Sequence, residues 1–274
     1  MLYRKIVPSL PLQKLVECYY IWENNGLMGQ PLTIESPPTG FVSMVFNYGD
    51  FYKTSSTFNS SDFVSAPRTF ISGQATKAYK LLLTGRIGMI GIVFRPTAVN
   101  VLFGIQMYEL NDERLDLRDV VGKEVVPVQE RIMEAHSHQE RIDIIEKFLL
   151  MKLMSCKNPL NQTDFAANLI VEQNGIINIS KMMEELYVCR RQLERQFLQK
   201  VGISPKYYAR IRRISHLCSV MAKKQWQISD WHDLIFQMGY YDQSHFIKEF
   251  TAFTGKSPSF YLKNNVELSN YLQR

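Results

Sequence analysis

The 274-residue chain has no histidine before His136, and its four cysteines (Cys18, Cys156, Cys189 and Cys218) form no C-x-x-C pair. The first absence excludes a multi-histidine metal site from the N-terminal half, and the second leaves no cluster of soft ligands for zinc. His136-Ser137-His138 is a close histidine pair, but it falls in a polar stretch with no third ligand nearby. No metal and no cofactor are expected. A disulfide scaffold is out of place in a chain of this size without a secretion signal, so the cysteines read as free thiols. The first fifteen residues mix Arg4, Lys5, two prolines and Gln13, unlike the continuous apolar segment of a signal peptide. No apolar run approaches the roughly 20 residues that span a bilayer. The expectation is a cytoplasmic protein with no membrane partner. Also missing are the G-x-S-x-G, Walker, G-x-G-x-x-G and H-E-x-x-H motifs. The chain reads as a non-enzyme.

What is present is ample material for cores: 46% hydrophobic residues and only 21% charged. At roughly 100–200 residues per domain the length suggests two domains. In the N-terminal third, Phe41–Tyr48, Thr69–Ser72, Ala78–Leu83 and Ile87–Phe94 are short apolar runs. Turn signals separate them, which predicts a β-rich sandwich or small barrel. Pro8, Pro11, Pro31, Pro37 and Pro38 argue against long regular elements in the first 40 residues. From Ala98 the character changes. Val99–Phe103 and Leu115–Val121 read as short helices or turns, and Pro127–Ala135 and Gln139–Met154 carry helical periodicity. Ser155–Thr163, with Asn158-Pro159, is the best linker, and from Asp164 onward every segment reads as helix. The domains expected are thus 1–110 (β-rich, sensor or regulatory), 111–160 (helical connector) and 161–274 (all-α).

The formal net charge of +6 is unevenly spread. Residues 1–160 carry 17 basic and 16 acidic residues, whereas 161–274 carry 15 and 10. Ten Lys/Arg and a single acid, Glu194, fall within 190–224, a net of +9 in 35 residues. Such a run marks either a solvated face or a polyanion site.

An internal repeat decides between them. At an offset of 53 residues, Phe197 falls on Phe250, Gly202 on Gly255, Ser204 on Ser257, Pro205 on Pro258 and Tyr208 on Tyr261. Tyr187 also falls on Tyr240, Leu193 on Phe246 and Arg195 on Lys248. Repeats redefine a fold and take precedence over other signals. Each copy reads as a helix-turn-helix. In the first, Ser180 caps a helix to about Leu186, a turn follows at Tyr187–Cys189, and a second helix runs from Arg190 to Lys200. Its apolar stripe is Leu193, Phe197 and Val201. Gly202 stops it, and Ser204-Pro205 starts the next helix. In the second, Ser229 caps Asp230–Met238, Gly239 turns the chain, and Asp242 caps a helix through Thr254. That helix has Phe246, Phe250 and Phe253 as its stripe. Pro205–Lys224 is long enough for one continuous helix between the units. Helix-turn-helix units place the start of their second helix in the major groove, and two such units would reach segments about one turn (~10 bp) apart.

Residues 165–263 resemble the DNA-binding domain of AraC/XylS-type transcription factors. The resemblance rests on G-I-S-P-K-Y-Y at 202–208 and on M-G-Y-Y-D-Q-S-H-F-I-K-E-F-T-A-F-T-G-K-S-P-S-F-Y at 238–261. Residues 1–110 are more weakly similar to a cupin-like sensor region, at F-N-Y-G-D, I-S-G-Q and G-I-V-F-R-P. The resemblance implies seven helices and two recognition helices. It places base contacts at Arg191, Glu194 and Arg195 in the first recognition helix, where Arg190 and Gln192 are further candidates for base or phosphate contact. In the second it places them at Gln243, Ser244, His245 and Lys248. Departures are Cys189 where a serine cap is usual, Tyr187 at the turn glycine, and Met183 and Ile235 at the small residue of each supporting helix. Arg210, Arg212 and Arg213 are expected to divide between salt bridges and packing. Asp242 and Glu249 lower the charge around Lys248, so the first unit is expected to supply more of the salt-dependent affinity.

The fold class expected is multidomain: a β-rich cupin-like N-terminal domain with a helical connector, then an all-α domain of two helix-turn-helix units joined by a linker helix. The function expected is a sequence-specific transcription regulator bound to double-stranded DNA. Its expected further partners are a small-molecule effector held by the inward faces of 41–48 and 87–94, a second copy of the chain paired through Gln139–Met154, and RNA polymerase. Two alternatives stay open: an N-terminal domain that only oligomerises or binds a protein partner, and an enzyme fused to a DNA-binding module.

Overall fold

The strand segments 42–47, 69–72 and 88–94 are buried on both faces, which is why they read as continuous apolar runs instead of an alternating pattern. The computed structural model describes all residues except 1, 25, 28, 56–61, 157–159, 224–227, 229 and 265–274, and the side chains of 262–264. Its strands are β1 (Leu2–Ile6), β2 (Val16–Glu23), β3 (Leu32–Ser36), β4 (Val42–Asn47), β5 (Lys53–Ser55), β6 (Val64–Ser65), β7 (Thr69–Ser72), β8 (Tyr79–Leu83), β9 (Gly88–Phe94) and β10 (Arg114–Asp116). They form a six-stranded sheet in the order β1-β2-β9-β4-β7-β10 and a four-stranded sheet in the order β3-β8-β5-β6. Every pairing is antiparallel. The first sheet therefore runs past residue 110 to β10.

Side chains alternate across the larger sheet with period two. Tyr19, Ile21, Val42, Met44, Phe46, Ile90, Ile92 and Phe94 face one core. Trp22, Val45, Phe70 and Met89 face the other, shared with Ile34 and Leu83 of the smaller sheet. Gly91, central in β9, lies under the Tyr20 ring: a Cβ there would sit 2.1 Å from Tyr20 Cε1.

The prolines mislead in the first 40 residues. They bracket β2 without interrupting it, and this eight-residue strand is sandwiched between β1 and β9. The helical segments lie as the periodicity predicts: α1 (Ala98–Phe103), α2 (Leu117–Val120), α3 (Val126–Glu134) and α4 (His138–Ser155). Ile142, Ile144, Ile145, Phe148 and Leu149 of α4 are buried in the same core as the outer face of the six-stranded sheet. The stripe that was expected to call for a second copy is thus satisfied within the chain, with Met151 and Met154 left exposed. Met44, Phe46, Ile90 and Ile92 belong to that outer core, whereas Phe41, Ser43 and Val93 of the same two runs line a cavity.

The C-terminal helices are α5 (Gln162–Glu172), α6 (Ile179–Glu185), α7 (Arg190–Val201), α8 (Pro205–Lys223), α9 (Trp231–Gln237), α10 (Gln243–Thr254) and α11 (Pro258–Asn264). Of the linker Ser155–Thr163, residues 157–159 lie outside the described residues, and Asn161 with Asp164 closes a capping box on α5. No described helix is long and apolar enough to cross a membrane.

Candidate nucleic-acid interface

The two units superimpose in chain order with a one-residue step at the turn. Asn178, not Ser180, caps α6, its side chain accepting from Lys181 N. Asp230 caps α9 in the same way, accepting from Asp233 N; Ser229 lies outside the described residues. These supporting helices correspond at an offset of 52, whereas α7 and α10 correspond at 53. The turn explains the step. Val188 N donates to Met183 O in the first unit, and Tyr240 N donates to Ile235 O in the second. Tyr187 and Gly239, just before, both adopt positive φ, 51° and 72°. The Tyr187–Tyr240 match of the sequence is therefore not an equivalence. Tyr187 is 93% exposed in a left-handed conformation, while Tyr240 is buried and matches Val188.

Beyond the turn each second helix buries one stripe: Leu193, Phe197 and Val201 in α7, and Phe246, Glu249, Phe250 and Phe253 in α10. Both end at a left-handed glycine, Gly202 and Gly255. Asp242 caps α10, accepting from His245 N at 2.7 Å, whereas Cys189 makes no capping hydrogen bond. Helix α7 is braced on α5 by Thr163 Oγ1, which donates to Gln196 Oε1 at 2.5 Å, and by Lys200 on buried Asp164 at 2.7 Å.

Helix α10 is braced on α8 by a buried carboxylate. Glu249, 4% exposed, accepts from Arg210 Nε at 2.8 Å, Arg213 Nη2 at 2.7 Å, Arg213 Nε at 3.2 Å and Tyr240 Oη at 3.0 Å. Burial pushes its carboxyl up, but the hydrogen bonds and charges of the two arginines outweigh this and hold it below the ordinary carboxylate range. From the sequence Glu249 counted only as an acid that lowers the charge around Lys248.

All nine residues singled out from the sequence are exposed: Arg190, Arg191, Gln192, Glu194 and Arg195 on α7, and Gln243, Ser244, His245 and Lys248 on α10. Four of them meet at one cleft of about 850 Å³ between the units, with Arg190 and Glu194 on one wall and His245 and Lys248 on the other. Its floor is α8, which adds Lys206, Arg210 and Arg213. Arg191, Gln192, Arg195, Gln243 and Ser244 do not line it. Arg190 is tied to Glu194 by a 2.9 Å ion pair one helical turn away. Sequence reading missed Lys206, and missed Tyr187 and Tyr241, both 93% exposed at the two turns.

Two helix-turn-helix units carried on one linker helix, behind a β-rich domain, define the class: a double helix-turn-helix DNA-binding protein. In comparisons with known families, residues 182–264 match a helix-turn-helix domain and residues 4–116 match a domain of unknown function, DUF6597. The C-terminal domain is thus an AraC-type helix-turn-helix domain, a DNA-binding module. Among solved structures, ToxT from Vibrio cholerae is similar at 14% identity over 89% of this chain and 98% of that one, with a TM-score of 0.45. ToxT bound to (E)-4-(8-methylnaphthalen-1-yl)but-3-enoic acid is 15% identical over 89% and 98%, with a TM-score of 0.46. Unsaturated fatty acid bound wild-type ToxT is 13% identical over 88% and 96%, with a TM-score of 0.42. No curated protein sequence matches the chain.

Proposed function

We propose that the chain reads a specific DNA sequence with α7 and α10 and that its N-terminal domain controls this binding through a small ligand. The reading rests above all on one observation: two glycine-stopped helices, aligned at an offset of 53, each bury one stripe and expose polar and basic residues in their first two turns. Those are the positions that reach base edges and phosphates in helix-turn-helix proteins. Arg195 and Lys248 correspond at the offset of 53, and both are exposed. Arg191 and Arg195 have no carboxylate partner among the described residues, so both are available to guanine O6/N7 or to phosphate.

Control by the N-terminal domain is supported by its contacts with both units. Asn111 Nδ2 donates to Gly202 O at the end of α7 (2.6 Å), and Ala78 N donates to Phe253 O in α10 (2.9 Å). Lys256, after α10, pairs with Glu35 of β3. A rigid body touching both recognition helices sets their spacing. A ligand that favours this docked arrangement would shift DNA affinity by its differential binding.

Selection of bound duplexes from a random pool tests the reading. Two short preferred blocks about one turn (~10 bp) apart are expected. Arg195→Ala is expected to weaken binding to the selected site by roughly 1–3 kcal/mol and to relax preference at one position. A pool with no enriched sequence would refute sequence-specific recognition.

A further inference from the structure

A second cavity, of about 480 Å³, lies on the seam between the two domains. One wall is aromatic. Tyr3 stacks on Tyr20 with ring centroids 5.8 Å apart and meets Trp22 edge-on at 6.4 Å, and Tyr79 and Phe41 extend the surface. The opposite wall is helix α8, which contributes Arg212, Ser215 and His216.

Arg212 is the anomaly of this seam. It is 7% exposed and has no carboxylate within ion-pair distance among the described residues. Its Nη1 donates to Thr39 O at 2.5 Å, and its guanidinium carbon lies 4.1 Å from the Phe41 ring centroid. Nε is buried with no acceptor. Glu17 also lines the cavity, but it pairs with Arg95 at 3.4 Å. Loss of hydration lowers the Arg212 pKa. Buried charges are ordinarily paired, because desolvation of a lone ion costs several kcal/mol. On the same helix, Arg210 and Arg213 obey this rule at Glu249.

We propose that this cavity binds a small organic anion: a carboxylate or phosphate head against Arg212, and a flat apolar body among Tyr3, Tyr20, Trp22 and Tyr79. Thr39 takes only Nη1, and a guanidinium binds the two oxygens of a carboxylate or phosphate side by side. Lys5 adds a second cation to the cavity wall. The volume lies within the range of small-molecule sites, about 300–1,000 Å³. Because the aromatic wall belongs to the sheets and the arginine to the linker helix, the ligand spans the seam only when the domains are docked. The proposal thus deepens the regulatory half of the function above and rests on it only for its consequence.

The test is calorimetric titration of the full chain with biphenyl-4-carboxylate, 4-biphenylyl phosphate and the neutral biphenyl-4-methanol. At least one anion is expected to bind about tenfold or more tightly than the alcohol, and Arg212→Gln is expected to remove that advantage. Which anion wins identifies the head group. Leu81 of β8 also lines the cavity, and Leu81→Trp, which narrows it and leaves Arg212 in place, is expected to weaken the anions and the alcohol alike while keeping the wild-type circular dichroism. Equal binding of anions and alcohol, or undiminished anion binding by Arg212→Gln, would overturn the proposal. DNA binding measured on the same preparations without ligand separates the two readings. A chain that binds DNA but no anion loses only this inference, and one that binds an anion but no DNA loses the function proposed above.

Discussion

Replacing Glu249 by glutamine removes one charge from between two arginines and alters side-chain volume very little. The carboxylate takes three hydrogen bonds from guanidinium groups across the α8–α10 contact and a fourth from Tyr240 in the turn before α10. Glutamine offers one acceptor oxygen and turns an NH2 toward a cation. Arg213, whose side chain is 15% exposed, is then left as a buried charge without a counter-ion. Breaking a buried pair in this way costs about 3–5 kcal/mol. Arg210 is 34% exposed on the same measure, so water takes over much of its share, and that share shrinks to less than about 1 kcal/mol. The Tyr240 hydroxyl keeps an acceptor. A destabilisation of about 3 kcal/mol follows, which for a chain of this size lowers the melting temperature by roughly 6–12 °C.

The dependence on pH sharpens the test. The Glu249 carboxyl titrates lower in the folded chain than in the unfolded one, where its pKa is about 4.3. The stability it lends is therefore complete above that value and is lost as pH falls through the lower folded value. Denaturation melts of wild type and Glu249→Gln should differ fully at pH 7 and converge under strong acid. A difference below about 1 kcal/mol at pH 7, or one unchanged in acid, would refute the assignment of Glu249 as the lock on α10.

Three further outcomes follow from the structure. Among the described residues, Arg191, Arg195, Lys206 and Lys248 are the cations of the proposed interface without a carboxylate partner, so log K should fall against log salt with a slope of roughly −4. A filter-binding series giving −8 or steeper would show that the paired arginines also reach phosphates. Gly91→Ala would drive a Cβ into the Tyr20 ring, and equilibrium urea unfolding should show a loss of about 1–3 kcal/mol, whereas no loss would mean that the ring moves freely. Cys189 is exposed at the start of α7, while burial pushes the Cys218 thiol up to about 12. An alkylating reagent at pH 8 should therefore label Cys189 and spare Cys218, and duplex DNA should protect Cys189; labelling unaffected by bound DNA would place α7 away from the duplex.

The elements that local pattern controls were legible in the sequence. Strands β4, β7, β8 and β9, helices α3 and α4, and both recognition helices lie within a residue or two of the apolar runs and caps that announce them. The exposure of all nine interface residues follows from the positions of Leu193 and Phe197, and of Phe246 and Phe250. What was missed depends on contacts distant in sequence. β2 is flanked by prolines that suggested irregular chain, and only its pairing with β1 and β9 makes it a strand. The step from 52 to 53 is hidden because Tyr187 and Tyr240 match in letter but not in place. A signal did exist for the two charged residues that matter most to the packing. Glu249 lies with Phe246, Phe250 and Phe253 at i, i+3, i+4 and i+7. Arg212 lies with Tyr208 and Ile211 on the buried face of α8. A charged residue on an apolar stripe is either an error of periodicity or a buried partner awaiting its counter-ion.

The same logic dissolves the basic run. Within residues 190–224 the sequence shows ten cations and one acid, which reads as a single polyanion-binding face. In the fold the compensating acids arrive from outside the window: Asp164 from α5 takes Lys200, and Glu249 from α10 takes Arg210 and Arg213. Glu194 takes Arg190 from within the run. Arg212 turns to the opposite side and is buried against Thr39 and Phe41 of the N-terminal domain. Charge counted along the chain therefore overstates what faces DNA, since counter-ions are set by the packing of α5 and α10 and not by neighbours in sequence. The linker helix spends its arginines on positioning. It holds the second recognition helix through one side and the N-terminal domain through the other, so any force that repacks Arg212 at the seam acts on the same rigid helix whose Arg210 and Arg213 fix α10. In the regulation proposed above, that shared helix is the physical route from the N-terminal domain to the spacing of the two recognition helices.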